Sequence, residues 1–352
     1  MLIVPISSAN GFDNLKSESI ILQLNNTSSS HILSNSVYNL NTGEIFQTIQ
    51  DAIDDIDTKD GHTIQVNEGL YQENVIITKS ITLRGVNRYK TIIQGNGNEH
   101  VLNISTDHVK VNGFKIQNSG YQKSGILINS NFNNINWNYI VNNWYGVLIW
   151  YSSKNSIEGN KICENEFGVL VFNSIYNNMN WNFIDKNKNG IDMWGSSNNN
   201  VKGNRIINTV IKGMLMGQST NNDIYWNNIR NSTTGIYLWS HSDNNNFYLN
   251  NFFYNSLNAV DECSNNWYNG DKGNYWKDYK DKCPNANRIW LKGIWDKYYE
   301  INGGNNKDLY PLYKPYLRSN LNHLLLNLII YFKIVIQCII DGIILADNHL
   351  IN

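Results

Sequence analysis

Between Gly125 and Val260 the chain repeats itself, and this repeat restricts the fold more than any other feature. A glycine followed by an aliphatic, any residue and a second aliphatic recurs at Gly125, Gly146, Gly168, Gly190, Gly213 and Gly235, at intervals of 21, 22, 22, 23 and 22 residues. Asn258 takes the glycine's place in a seventh copy. A second column keeps step with the first: Asn138, Asn160, Asn182, Asn204, Asn227 and Asn250, each two residues before Ile or Phe. A third runs through Asn134, Asn155, Asn178, Asn200, Asn222 and Asn245.

A period this short, in a chain of brief aliphatic segments separated by Asn, Ser and Gly, predicts an all-β solenoid whose rungs are coils of strands; helical repeats need more residues. Strands of successive rungs pair in parallel about 4.8 Å apart, so residues one period apart become neighbours. Aliphatics then stack inside and asparagines stack at corners. Asn tolerates left-handed backbone there, and its amide donates to the next Asn while accepting from the previous one. The register therefore places Asn138, Asn160, Asn182 and Asn204 one above another. It also sets Glu164 beside Lys186, and Glu166 beside Lys188. Upstream, Phe46, Ile49, Ala52, Ile53 and Ile56 have helical spacing and predict a helix that caps the open first coil.

Charge contributes little to this design. The 28 basic and 29 acidic side chains leave a formal charge of −1, which gives no electrostatic reason to expect a nucleic-acid partner. The four cysteines form no Cys-x-x-Cys pair; Cys263 and Cys283 could bridge in an exported chain or remain ordinary thiols.

The ends differ from the repeat. Residues 1–43 read as a leader or linker, beginning with Met1-Leu2-Ile3-Val4-Pro5-Ile6, which is similar to the end of a secretory signal. Residues 317–352 form a hydrophobic tail. Its apolar run, 324–346, is long enough to span a bilayer, but Asn327, Lys333, Gln337 and Asp341 interrupt it. A central Lys and Asp each cost about 2.5–3.5 kcal/mol on insertion, so a membrane anchor and an amphipathic surface helix both stay open.

The run Phe46-Gln47-Thr48-Ile49-Gln50-Asp51-Ala52-Ile53, followed by Gly69-Leu70-Tyr71-Gln72-Glu73-Asn74 and Ile81-Thr82-Leu83-Arg84-Gly85, resembles the opening of right-handed parallel β-helix proteins of the pectin-lyase-like superfamily. Gly273-Asn274-Tyr275-Trp276, with Asn306-Lys307-Asp308-Leu309-Tyr310-Pro311, is similar to the closing section of the NosD-like branch found on archaeal cell surfaces. The resemblance covers residues 44–316. It implies a right-handed β-helix with a capping helix, located outside the cell or at its surface. One fold of this kind hosts many activities, so it implies no single function. It does imply three places to look: a Ca²⁺ loop between the closing motifs, a copper site built from Met and His, and acids of a polysaccharide lyase or epimerase on an outer face.

Each can be read against the residues. The stretch Asp281 to Trp290 offers too few oxygen ligands for Ca²⁺ and includes Arg288. Met193, Met214 and Met216 suit core packing, and the histidines are dispersed. In the strand after each repeat glycine, the second residue faces outward: Leu127, Leu148, Leu170, Asp192, Leu215, Tyr237, Val260. Asp192 is the column's single acid, so no catalytic acid pair forms there, and a solvated surface carboxylate is its ordinary role. The outward fourth residues are Asn129, Trp150, Phe172, Trp194, Gly217, Trp239 and Glu262. An aromatic strip on an outside face signifies a partner, a ligand or a covering segment. Trp150, Phe172, Asp192, Trp194, Tyr237 and Trp239 are therefore the candidate ligand-binding residues, with a polysaccharide as the expected ligand. Cover by residues 262–320 or the tail, and pairing of two copies through this face, are the alternatives. Trp137, Trp181 and Trp226 alternate with Gly159 and Gly203, a size pattern that predicts packing.

Overall fold

The computed structural model describes residues 36–316, which form a parallel β-helix of about 10 turns with about 22 residues per turn. One coil contains the strands Asn134–Asn136, Tyr139–Val141 and Tyr145–Trp150. Each pairs in parallel with its counterpart in the next coil: Ser156–Glu158, Lys161–Cys163 and Phe167–Phe172. Stacked coils build sheets of eleven, ten and nine strands. Alternation along each strand turns Ile135, Ile140, Val147 and Ile149 inward, where they and their equivalents form one continuous core.

Four residues in this coil take a left-handed backbone: Trp137, Asn142, Tyr151 and Lys154, with φ of 54°, 56°, 47° and 59°. That geometry costs a non-glycine residue about 1–2 kcal/mol. The buried residue after each one, Asn138, Asn143, Ser152 and Asn155, supplies hydrogen bonds that offset it. Asn160 illustrates how. Its Oδ1 accepts the backbone N–H and Nδ2–H of Asn138 at 3.0 and 3.2 Å, while its Nδ2 donates to Asn182 Oδ1 at 3.1 Å and to Ile135 O at 2.8 Å. The stack expected of Asn138, Asn160, Asn182 and Asn204 forms in sequence order.

The third predicted column is displaced by one residue at three places. Asn155, Asn222 and Asn245 are ladder residues, but they align with Asn133, Asn177 and Asn199. Asn134, Asn178 and Asn200 start the following strands and are only half-buried. Two further ladders, Asn143–Asn165–Asn187 and Ser152–Ser174–Ser196–Ser219–Ser242, have no counterpart among the predicted columns. Trp181 does pack over Gly203, where a Cβ would fall 2.2 Å from the indole. Lys188 and Glu166 make the expected ion pair. Glu164 and Lys186 occupy equivalent corners without one.

Both ends are closed by side chains that stand in for a missing coil. The helix α1, Ile49–Asp54, is the predicted cap, although Ile56 beyond it is exposed. Thr48 Oγ1 accepts the Asp51 N–H at 3.0 Å, and the Glu73 carboxylate accepts the N–H groups of Ile49 and Gln50 at 2.9 and 3.0 Å. The Gln50 amide then holds both the N–H and the C=O of Ile76, at 2.8 and 3.2 Å, on the edge strand Val75–Ile77. Before the helix, Val37–Asn39 pairs antiparallel with Thr63–Val66, so residues assigned to the leader join the first sheet.

At the far end Asn250 bonds to Asn274 Oδ1 at 3.0 Å, and the Asn274 N–H donates to Asp308 Oδ2 at 2.7 Å. Asp308 also accepts Trp276 Nε1–H at 2.8 Å and the Tyr310 N–H at 3.0 Å. A second ladder ends through Asn265 on Asp261, which likewise accepts an indole N–H, from Trp267 at 2.8 Å. No helix among the described residues is long and apolar enough to cross a membrane, and the apolar run 324–346 lies outside them.

Candidate functional site

The aromatic strip lies on the outer face of the nine-stranded sheet, in the expected register: Trp150 pairs with Phe172, Phe172 with Trp194, Trp194 with Gly217, and Gly217 with Trp239. Its rings are not a row of flat platforms. Trp150 and Phe172 stack at 4.3 Å and 9°, so their faces turn toward each other along the helix axis. Trp194 meets Trp239 edge-on at 5.2 Å across Gly217, where a Cβ would lie 2.9 Å from the Trp194 ring. Trp150 and Trp239 remain 39% and 36% exposed, so the described residues leave the strip open to solvent.

A groove of about 460 Å³ adjoins the strip on its upstream side. Leu127, Leu148 and Leu170 of the second column line it together with Trp150 and Tyr145, and His100, Tyr121, Gln122 and Lys123 supply its polar groups. His100 Nδ1 accepts the Ser124 N–H at 2.9 Å and lies 2.7 Å from Ser124 Oγ, which puts the ring proton on Nε2. Burial, reinforced by the Lys123 charge, lowers the pKa of this imidazole. Lys123 is itself paired with Glu99 at 3.0 Å. Of the six predicted residues only Trp150 lines the groove. His100, Tyr121 and Lys123 were missed because they precede the regular repeat, where no column identifies an outward position.

Asp192 is not the solvated carboxylate expected of it. It is 2% exposed, because a short side chain sits between Leu170 and Leu215 in its column. Asn189 Nδ2 donates to its Oδ2 at 2.9 Å, while Asp192 Oδ1 and Asn189 Oδ1 are buried without a donor. Burial pushes the Asp192 carboxyl up to about 7, opposed by the Asn189 hydrogen bond and by the charge of Lys212. A folded-state pKa above the unfolded value means that the neutral acid is preferred in the fold. Its contribution to stability is full below about pH 4 and disappears as pH rises through about 7. Asp192→Asn is therefore expected to melt a few degrees above wild type at pH 8, with the difference shrinking at pH 5. Parallel melting curves at the two pH values would show a carboxylate ionised throughout.

Downstream on this face Lys212 lies over the Tyr237 ring at 5.2 Å, and the Tyr237 hydroxyl donates to Glu262 Oε1 at 2.8 Å. Asp192 and Glu262 are three coils apart, so they do not make the neighbouring-rung acid pair of a hydrolase.

A family model described as "Periplasmic copper-binding protein (NosD)" matches residues 72–281, well over half of the chain. The protein belongs to the NosD family. A cell surface glycoprotein of Methanothermus fervidus is 31% identical over 159 residues, covering 40% of this chain and 26% of that protein. This NosD-family chain thus spans about a quarter of the length of that relative. Among solved structures, the enzymatically active domain of bacteriophage CBA120 tailspike protein 2 superposes with a TM-score of 0.47 at 14% identity, over 60% of this chain and 38% of that one. The A-module of the Azotobacter vinelandii mannuronan C-5 epimerase AlgE4 gives 0.43 at 14% identity, over 58% and 72%.

The donors among the described residues do not fit copper. Met179, Met193, Met214 and Met216 are fully buried among aliphatics. His62 Nδ1 contacts Asn39, His100 Nδ1 accepts from Ser124, and His108 stacks on Phe132, each in a different place. Cys163, Cys263 and Cys283 are free thiols, so no bridge joins Cys263 to Cys283. In the loop considered for Ca²⁺, Asn287 bonds to both carboxylate oxygens of Asp296, at 2.7 and 3.0 Å. Acids that do converge, Glu44, Asp55 and Asp57, lie beside the N-terminal cap, where Thr42 Oγ1 and the Asp57 N–H already bond to Glu44 and Asp55.

Proposed function

We propose that this NosD-family β-helix is a cell-surface protein that binds an envelope or extracellular glycan, without turning it over, along the outer face of its nine-stranded sheet. The observation that carries the reading is the groove beside Trp150. It combines an apolar floor, an exposed indole and polar groups from His100, Gln122 and Lys123. Such a mixture suits a sugar, whose ring face is apolar and whose rim is hydroxylated. Phe172 buttresses Trp150 from behind, Trp194, Tyr237 and Trp239 extend the contact downstream, and Asp192 is a buried acceptor between Leu170 and Leu215 in the adjoining column. The cell surface glycoprotein relative supports the location.

Glycan-array screening of the purified protein, followed by titration of the strongest ligand, tests the proposal. Trp150→Ala is expected to weaken binding about tenfold, near 1.4 kcal/mol, with little change in melting temperature. Unchanged binding together with a lower melting temperature would make the strip a packing feature and end the proposal.

A further inference from the structure

The formal charge of −1 conceals an uneven distribution. On the outer face of the ten-stranded sheet, one register column reads Lys115, Tyr139, Lys161, Phe183, Arg205, with cations and rings alternating from coil to coil. Lys115 and Lys161 lie 5.8 and 4.3 Å from the Tyr139 ring centre, and Arg205 lies 5.3 Å from that of Phe183. The rings hold the cations two coils apart, which is about 10 Å. None of the three is in an ion pair: the pairs formed among the described residues involve Lys90, Lys123, Lys188, Lys272 and Lys282. Arg230, one coil beyond Arg205 on the same sheet, has a buried Nε without an acceptor. Two acids lie near the column: Asp185, which accepts Asn208 Nδ2–H at 2.8 Å, and Glu164, whose charge acts on Tyr139.

We infer that this face is a docking surface for a linear anionic polysaccharide whose charges recur at about 10 Å, the spacing of alternate coils. Charge complementarity with a fixed repeat selects this partner. A chain with one acidic group on every second sugar presents charges at intervals of this order, so Lys115, Lys161 and Arg205 each meet one. A fluid bilayer gains nothing from a rigid repeat, and the half-buried rings between cations cannot insert into it. Single-stranded nucleic acid needs open ring faces for its bases, and here cations cover them. This surface belongs to a different sheet from the groove at Trp150 and does not depend on it.

Hyaluronan, with one carboxylate per disaccharide, is the probe, titrated into the full chain. Binding is expected to weaken steeply between about 50 and about 200 mM salt. The triple variant Lys115→Gln, Lys161→Gln, Arg205→Gln should lose about tenfold or more in affinity at low salt, equivalent to about 1.4 kcal/mol. Lys115→Arg with Lys161→Arg should bind like wild type, whereas a loss in Trp150→Ala with none in the triple variant would put hyaluronan in the groove and overturn the inference. Three results would overturn the inference: no hyaluronan binding by wild type, equal binding of neutral dextran, or a triple variant of unchanged melting temperature that binds as wild type does. Tighter binding to phosphatidylserine vesicles or to oligo-dT than to hyaluronan would also overturn it, in favour of a lipid or nucleic-acid partner.

Discussion

Asp308→Ala is expected to destabilise the C-terminal coils by about 3–5 kcal/mol, because it leaves several buried donors without an acceptor at about 1–3 kcal/mol each. The carboxylate is wholly buried, and its contacts are the Asn274 N–H, the Trp276 indole N–H and the Tyr310 N–H, with the Asn274 amide at 3.5 Å. Burial raises its pKa, but every group aimed at it is a donor, which favours the anion. Asp308 thus completes the asparagine ladder by accepting where a further Asn Oδ1 would have accepted. Asp308→Asn keeps one acceptor oxygen and should lose less. Gly273→Ala tests the same contact from the other side, since a Cβ there would fall 1.8 Å from Asp308 Oδ1. Amide exchange of Asn246–Tyr248 and Asn251–Phe253 should accelerate in all three variants, most in Asp308→Ala. Unchanged protection in Asp308→Ala would mean that the ladder ends without the carboxylate.

This role explains why the closing signature could be seen in the sequence while its purpose could not. Gly273-Asn274-Tyr275-Trp276 and Lys307-Asp308 lie 34 residues apart, and only the fold shows that Asn274 and Asp308 meet. The opening signature is similar: Gln50 and Glu73 belong to separate motifs, yet both close the first coils, Gln50 on Ile76 and Glu73 on the start of α1. Within the regular coils the period gave the Asn138–Asn160–Asn182–Asn204 stack correctly, because a parallel ladder makes sequence spacing a spatial coordinate, but where two asparagines adjoin it picked the wrong one at Asn134, Asn178 and Asn200. It could not give depth. Asp192 occupies an outward position and is nevertheless covered, since burial there depends on the size of Leu170 and Leu215 and not on alternation. Nor could it give ring orientation, which is set by contacts such as that of Trp194 with Trp239 across Gly217. The cation column on the ten-stranded sheet was legible in principle, as Lys115, Tyr139, Lys161, Phe183 and Arg205 keep the same near-regular spacing as the asparagines. Net charge hid it.

Adjacent asparagines provide the second large effect and a direct test of register, because Asn177→Leu and Asn178→Leu make the same chemical change one residue apart. Asn177 is wholly buried. Its Oδ1 accepts the Asn155 N–H at 2.9 Å, and its Nδ2 donates to Ser152 O at 3.1 Å, Ile175 O at 3.1 Å and Asn199 Oδ1 at 3.2 Å. Leucine fills the space but orphans the Asn155 N–H and weakens both carbonyls, at about 1–3 kcal/mol per unsatisfied group. A total of about 3–6 kcal/mol is expected. Asn178 faces outward, half-buried, where its Oδ1 accepts Asn200 Nδ2–H at 3.0 Å, a bond that water can replace. A change within about 0.5 kcal/mol is expected there. The buried lesion sits in mid-solenoid, where each coil is held chiefly by its two neighbours, so it should also weaken the coupling between the halves. Thermal unfolding of Asn177→Leu should then broaden or split into two transitions while that of Asn178→Leu stays like wild type. Equal losses at the two positions, or a greater loss at Asn178, would place the ladder on the wrong residue of each pair and with it the register of the whole eleven-stranded sheet.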